Sequence, residues 1–352
     1  MASVSEQIVN LFAGPGGWDE GFRDLGGVAL GIDSSEAACE TGRAAGHRRR
    51  LADVSSVRPS DLGTVVGLIA SPPCQAFTKI GKNLGKLDKA QVVLCAKEIC
   101  EGRDTRAARL RLCHDPRSLL TMEPMRWAVA VRPRWIALEQ VPAVGELWSV
   151  FADLLTTLGY HCAVGLLSAE QFGVPQVRKR AFLIASADGD VRLPRPTHRA
   201  FDPRRTDVPE EEVHLRRCLT MAQALGWCEA PPARPSWARP AGRSRGCCGG
   251  HPRSGDCLGP SWPFSRPSTT VLGDPRITAP GSWPRAGRRS ELVRGRPLRV
   301  TVAEAGVLQG FRRDYPWRGT RTVRYEQIGS AVCPPVAKAV LREAMLPSGE
   351  ES

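Results

Sequence analysis

The chain has 352 residues, with 49 Lys+Arg against 36 Asp+Glu and a formal charge of +13. At 42% hydrophobic and 24% charged residues the composition is that of a folded protein, which excludes wholesale disorder, and the length is that of two domains. No run of ~18 apolar residues and no basic-then-apolar leader pattern appears, so neither membrane spanning nor secretion is expected. Twelve irregularly spaced cysteines read as reduced thiols of a cytoplasmic protein, not as a disulfide framework.

Residues 6–190 alternate short apolar runs with helical patterns, the signature of a parallel sheet with crossover helices. Strands are predicted at Gln7–Phe12, at Val28–Ile32 ending on Asp33, in a run leading into Asp53, and at Val65–Ala70. Helices are predicted from the Gly-rich turn to Leu25 and over Glu36–Ala45. Residues 75–115 are polar and basic with no clear strand; Ser118–Val131 and Ala143–Leu158 read as helices, Trp135–Leu138, Tyr160–Leu167 and Arg180–Ser186 as strands. Residues 190–298 are dense in Pro, Gly and Arg without a sustained period, beyond the short piece Leu219–Leu225. Helical pattern returns at Val300–Gln309 and Pro335–Met345, the latter expected to pack back on the first domain. The resulting division is a first domain at 1–189, an irregular domain at 190–298, and a return segment at 299–352.

Charge is unevenly spread. Seven of the 49 basic residues are lysine and 42 are arginine, a bias that GC-rich coding also produces. Between Arg234 and Arg296, however, twelve arginines face only Asp256, Asp274 and Glu291, so this stretch carries +9 and reads as a footprint for a polyanion.

Two turns stand out chemically. Phe12-Ala13-Gly14-Pro15-Gly16-Gly17 lies between a strand and a helix, where glycines allow close approach to a ligand, and Asp33 ends the next strand in position to accept from a ribose diol. The Gly-Pro-Gly-Gly spacing departs from the dinucleotide pattern and a third strand also leads to an acid, Asp53, which favours a smaller nucleoside cofactor. Ser71-Pro72-Pro73-Cys74-Gln75 follows an apolar strand; two prolines hold the backbone rigid just before a thiol at the edge where open parallel sheets bind ligands. Gln75–Lys89 then carries four lysines and one acid, and reads as a mobile basic loop able to close over a nucleic acid. Cys95, Cys100 and Cys113 lack such a setting and are assigned to structure.

These motifs, in this order, resemble the cytosine-5 DNA methyltransferases that use S-adenosylmethionine. Phe12–Gly17 resembles the first cofactor motif, Asp33 and Asp53 the ribose and adenine acids, and Ser71–Gln75 with Phe77-Thr78 the Pro-Cys nucleophile motif. Leu119-Leu120 resembles the cofactor-contacting start of the next helix, Glu139-Gln140-Val141 the Glu-Asn-Val motif, and Gln176-Val177-Arg178-Lys179-Arg180 the Gln-x-Arg-x-Arg motif. Thr301–Phe311 and Gln327–Val332 resemble the last two motifs.

The resemblance implies an α/β fold: a Rossmann-like methyltransferase domain, mostly parallel with one antiparallel strand, plus a small irregular target recognition domain. It implies Cys74 as nucleophile at carbon 6 of cytosine, a protonated Glu139 donating to ring nitrogen N3, Arg180 at the ring carbonyl and Arg178 supporting the pocket or a phosphate. Cofactor contacts are implied for Phe12, Gly14, Gly16, Gly17, Asp33, Ser34, Asp53, Val54, Pro73, Leu120, Ser330 and Ala331. DNA contacts are implied for Gln75, Lys79, Lys82, Gln176, Thr269 and Thr270, the last two in the segment Arg266–Val271 that resembles part of the flipping site. The partner implied is double-stranded DNA, with the base flipped out, the protein a monomer and a cognate restriction endonuclease not physically required. Methylation of transfer RNA and a non-catalytic DNA-binding regulator are the alternatives; the large basic insert favours DNA, and intact Cys74, Glu139, Arg178 and Arg180 favour an enzyme. Two residues depart from the family pattern, Gln140 for Asn and Ser330 for Asn. Cys247-Cys248, His251 and Cys257 do not match Cys-x2–4-Cys zinc spacing, so no metal is expected there.

Overall fold

The computed structural model describes residues 6–78, 84–205, 207–226, 266–271 and 300–346. Lys79, Lys82, the 247–257 cysteine cluster and most of the Arg-rich span lie outside the described residues. The chain divides into two compact units. The first comprises Met1–Leu167, Lys179–Arg195 and Val336–Ser352, the second Ser168–Arg178 and Pro196–Pro335.

In chain order the first unit holds β1 (Gln7–Leu11), α1 (Gly17–Arg23), β2 (Leu30–Asp33), α2 (Glu36–Ala44), β3 (Arg48–Leu51) and β4 (Val65–Ala70). There follow α3 (Gly85–Cys100), α4 (Arg106–Leu110), α5 (Glu123–Val131), β5 (Trp135–Gln140), α6 (Gly145–Thr157), β6 (His161–Ser168) and β7 (Lys179–Ser186). The second unit contains α7 (Met221–Leu225), α8 (Val302–Leu308) and α9 (Arg321–Ser330); α10 (Pro334–Met345) lies almost wholly in the first unit.

The seven strands form one sheet in the order β3-β2-β1-β4-β5-β7-β6. The pairs from β3 through β5 are parallel, and β7 runs antiparallel to β5. β5 is buried at all six positions and β4 at five of six, so both faces are covered and the near-continuous apolar runs of these strands are explained. One face packs Val92, Cys95, Ala96 and Ile99 of α3, Met125 and Trp127 of α5, and Trp148 and Phe151 of α6 against the strands. Each large side chain buried in this way contributes ~1.5–3 kcal/mol. Trp18 and Phe22 of α1 meet Phe182 and Trp135 edge-on at 6.2 Å.

Register decides where the site forms. Leu11 pairs with Ile32 and with Ala70, and Ala70 pairs with Leu138. The residues next in line (Phe12, Asp33, Ser71 and Glu139) therefore emerge together along the carboxyl edge of the parallel strands. The order also reverses between β1 and β4, the place where open α/β sheets bind ligands.

One region differs from its sequence reading. Residues 75–115 carry two helices, because Val92, Cys95, Ala96 and Ile99 form an i, i+3, i+4, i+7 stripe that the surrounding charges obscure. Against the expected mobile loop at 75–89, Gln75–Phe77 forms a 3-10 turn and Gly85–Lys89 is already the start of α3. Asp88, counted there as a loop acid, is fully buried and accepts from the backbone N–H groups of His114 and Asp115, from Ser118 Oγ and from His114 Nδ1.

Candidate active site

The Gly-rich turn after β1 is held in a backbone shape that few residues adopt. Phe12 has φ +55°, Gly14 +53° and Gly16 +118°, the last as the N-cap of α1. A non-glycine residue at Phe12's angle stores ~1–3 kcal/mol, a strain that clusters at ligand sites. The turn is fastened to the end of β2: Ala13 N donates to Ile32 O at 3.1 Å, and Gly14 N to Asp33 Oδ2 at 2.8 Å. Asp33 Oδ1 accepts from Ser35 N, so each carboxylate oxygen keeps a lone pair for a further donor. Two residues beyond β3, exposed Asp53 accepts from Ser55 N and Ser55 Oγ on one oxygen; the other has no partner among the described residues. A carboxylate fastened to a left-handed glycine turn, with a second one beyond β3 on the same edge of the sheet and spare acceptor capacity on both, is the donor-and-acceptor set that the nucleoside end of S-adenosylmethionine requires, and the residues fit it. Ser34 is exposed, Gly16 and Gly17 are buried, and Pro73 and Leu120 are half-buried. Val54 sits with 2% exposure in the core, so what it offers a cofactor is main chain.

The nucleophile turn is fastened from three sides. Ser71 N donates to Leu11 O at 3.3 Å, Trp18 Nε1 to Ser71 Oγ at 2.8 Å, and Gln140 Nε2 to Pro72 O at 2.6 Å. Gln140 Oε1 also accepts from Val141 N at 2.6 Å. The Gln-for-Asn departure thus joins the strand bearing Glu139 to the proline two residues before Cys74. Neither Trp18 nor Gln140 could be assigned this work from sequence alone, although Gln140 was visible as a departure. Cys74 is half-buried with φ −90° and ψ −9°, and its carbonyl accepts from Phe77 N as the 3-10 turn begins. Burial pushes the thiols of Cys39, Cys95 and Cys100 up, and that of Cys113 up to about 11.

Glu139 is 6% exposed on β5, with Arg180 Nε 3.3 Å from its Oε1. The pairing explains this contact. Glu139 faces Phe182 across the antiparallel β5–β7 ladder, which places Arg180 diagonally on the same side. Arg180 Nη1 donates to Lys179 O, leaving the guanidinium with donors to spare. A thiol on a braced turn, a carboxyl group and a guanidinium, all on the edge of one sheet, can add a nucleophile to an electron-poor ring, protonate it and hold its oxygen.

Apart from Gln75, the remaining sequence-predicted residues described lie in the second unit. Gln176, expected at DNA, is fully buried. Its amide donates to Leu308 O and Gln309 Oε1 and accepts from Val271 N, so it has no surface to offer and instead braces the unit. Arg178 is likewise buried and donates to the carbonyls of Gly329, Ala331 and Val271. With the backbone exchange between Ser268 and residues 175–177, these bonds tie the Gln-x-Arg segment to Arg266–Val271. Thr270 Oγ1 donates to Val177 O, while Thr269 is half-buried. Ser330 is exposed, and its hydroxyl donates back to carbonyls of its own helix; Ala331 is buried. Gln75 is exposed beside Cys74. Among the described residues no cluster suited to a metal ion occurs, and no helix is long and apolar enough to cross a membrane.

A family model described as C-5 cytosine-specific DNA methylase matches residues 7–100, 106–220 and 261–345. The Type II methyltransferase M1.HphI of Haemophilus parahaemolyticus is 24% identical, over 97% of this chain and 87% of that one. The Type II methyltransferase M.NlaX of Neisseria lactamica is 26% identical, over 96% and 95%. Among solved structures, the S. pombe Dnmt2 methyltransferase aligns with a TM-score of 0.59 at 16% identity, over 98% of this chain and 100% of that one. The Entamoeba histolytica methyltransferase EhMeth aligns with a TM-score of 0.59 at 15% identity, over 99% and 100%. At such identities the structural likeness is one of fold.

Proposed function

The chain belongs to the C-5 cytosine-specific DNA methylase family, and on that footing we propose that it methylates carbon 5 of cytosine within a short specific sequence of double-stranded DNA. The observation that carries this reading is the placement of Cys74, Glu139 and Arg180 at the ends of three strands on one edge of the sheet, with Glu139 and Arg180 in contact at 3.3 Å. S-adenosylmethionine, the methyl donor of the family, supplies an electrophilic methyl group when bound; Phe12–Gly17, Asp33 and Asp53 hold its nucleoside end.

Carbon 5 of cytosine is a poor nucleophile, and the ring must first be activated. The Cys74 thiolate attacks carbon 6, forming an S–C bond and shifting electron density onto carbon 5. Glu139, carrying a proton, gives it to N3, and Arg180 turns to the ring oxygen and steadies the charge that develops there. Carbon 5 would take the methyl group as the methyl–sulfur bond of the bound donor breaks and leaves a neutral thioether. Loss of the carbon 5 proton to solvent then expels the thiolate, the S–C bond breaks, and N3 returns its proton to Glu139. The target base must leave the duplex for its ring face to be reached, with the energy of unstacking offset by protein contacts. Gln75, Lys79 and Lys82, which follow the nucleophile in sequence, Thr269 and Thr270, and the Arg-rich span within 190–298 supply those contacts, the span acting as target recognition domain. Arg178 positions Arg266–Val271 and does not itself touch the reacting ring. A restriction–modification setting is supported by its Type II relatives; we propose further that the protein acts as a monomer and needs no bound endonuclease.

The test is methyl transfer from labelled S-adenosylmethionine to duplex DNA and, in parallel, to transfer RNA, with bisulfite sequencing of DNA from cells expressing the chain. Label in duplex DNA, at cytosines sharing one flanking sequence, is expected. Label in transfer RNA alone, or transfer by a Cys74→Ala protein, would overturn the reading.

A further inference from the structure

We propose that Glu123, Arg106 and Arg126 form a clamp that positions the loop after Asp53 for cofactor binding, and so are positioning residues for the methyl-transfer reaction. This rests on the assignment of Asp53 to the cofactor made above.

The loop at residues 53–57 belongs to no helix or strand, yet its main chain is held at three successive points. Arg126 Nη2 donates to Val54 O at 2.8 Å and Nη1 to Val57 O at 3.1 Å. Arg106 Nη1 donates to Ser55 O at 2.9 Å. Both guanidinium groups converge on one carboxylate: Glu123 Oε2 accepts from Arg126 Nε at 2.6 Å, and Oε1 from Arg106 Nη1 at 3.0 Å. The Glu123 side chain is 3% exposed and that of Arg126 10%, so the pair is shielded from water and its geometry is enforced. Arg106 is gripped a second time, through Nε and Nη2, by Asp104. Below, Val54 and Val57 are buried, so the loop is fastened to the core by side chains and to the clamp by carbonyls, leaving the Asp53 carboxylate outward.

None of the three clamping residues is among those the family motifs assign to the cofactor. They act through the loop, and the physical consequence concerns population. A loop that holds its binding shape only a fraction of the time binds its ligand more weakly by that fraction, without any change in the chemistry that follows. Arg106 belongs to α4, in the stretch between the helix that follows Cys74 and the turn bearing Leu120. That stretch therefore reaches across to the adenosine side of the site.

The experiment uses the full chain without cofactor. Binding of S-adenosylmethionine and of S-adenosylhomocysteine is measured by calorimetry for the parent, Glu123→Gln, Arg106→Ala and Asp53→Ala, alongside thermal unfolding and steady-state kinetics with duplex DNA. Glu123→Gln keeps the shape of the side chain and removes the charge; Arg106, 25% exposed, is the safer variant for folding. Each is expected to weaken both ligands on the order of 10-fold, about the worth of one hydrogen bond to a charged group. For Glu123→Gln and Arg106→Ala, KM for the cofactor rises in proportion, while kcat at saturating cofactor stays within about threefold. If Asp53→Ala weakens binding while both clamp variants bind as the parent does, whatever happens to their melting temperatures, the clamp is only structural and the inference fails. If Asp53→Ala itself binds normally, the loop does not touch the cofactor, and the assignment of Asp53 falls together with the inference.

Discussion

Replacing Gln140 by Leu removes one side chain's hold on the nucleophile turn while keeping its volume nearly constant. Gln140 is 2% exposed and makes two bonds of 2.6 Å, to Pro72 O and from Val141 N. Leucine abandons both partners, the Pro72 carbonyl in the interior and the half-buried Val141 N–H. At ~1–3 kcal/mol for the buried carbonyl and ~1 kcal/mol for the half-buried N–H, the protein is destabilised by roughly 2–4 kcal/mol. For a folding unit of this size that lowers Tm by about 5–15 °C. The kinetic effect is separate. Pro72 lies two residues before Cys74, and a misplacement of ~1 Å at a reacting atom costs up to ~100-fold. Single-turnover methyl transfer at saturating cofactor and DNA, below the variant's melting temperature, should therefore fall by about 10–100-fold, with cofactor affinity within about twofold. Gln140→Asn keeps one amide bond of the two and should fall by less than about tenfold. A Gln140→Leu protein that melts and turns over as the parent does would show that the Pro72 bond neither braces the turn nor places the thiol.

Cys74→Ala is expected to lose methyl transfer entirely while still binding duplex DNA in a mobility-shift assay, since only the attacking sulfur is removed. Glu139→Gln should lower single-turnover rate by ~100–10,000-fold, the usual worth of a positioned general acid, with Tm measured alongside to separate folding from chemistry. Arg49 and Asp19 form a bidentate pair with both side chains at most 2% exposed, so Asp19→Ala leaves a buried guanidinium uncompensated and should cost ~3–5 kcal/mol, read as a shift in urea midpoint. At Asp88, burial works against the ionised form, but donors from His114, Ser118 and Asp115 outweigh it and hold the carboxyl below its ordinary range. A lowered native value means that the stability is fully present above the unfolded-state pKa of ~3.9 and is lost as pH falls through the native one. Asp88→Asn should therefore melt earlier than the parent at pH 7, and the gap should close below about pH 4.

The fold and much of the site were legible because their determinants are local. Four parallel strands announce themselves as apolar runs, and a parallel sheet puts the following residues on one edge, so the motif-bearing turns at Phe12, Asp33, Ser71 and Glu139 had to meet once the topology was recognised. Helix α3 escaped notice for an equally local reason: its buried stripe of Val92, Cys95, Ala96 and Ile99 follows Lys86, Asp88 and Lys89 and is interrupted by exposed Leu94 and Lys97, and a buried Asp88 looks, in sequence, like any solvated acid.

The polar bonds that fasten the site were not legible, and the reason is distance along the chain combined with promiscuity of the donor. Gln140 reaches back 68 residues to Pro72, Arg126 reaches 72 to Val54, and Gln176 reaches 132 to Leu308. An amide or guanidinium can satisfy any carbonyl it meets, so its residue type does not name its partner. Gln176 shows the cost of that ambiguity. Its place in a motif suggested the DNA surface, yet every polar atom of its side chain is spent in the interior. Motif membership and work done are separable in the same way at Gln140, which breaks the family pattern but carries two buried bonds, and at Ser330, which also breaks it but bonds only within its own helix. Sensitivity to substitution should therefore follow the number of buried bonds a side chain makes: Gln140→Leu severely, Ser330→Ala mildly, although both positions depart from the pattern by the same kind of change.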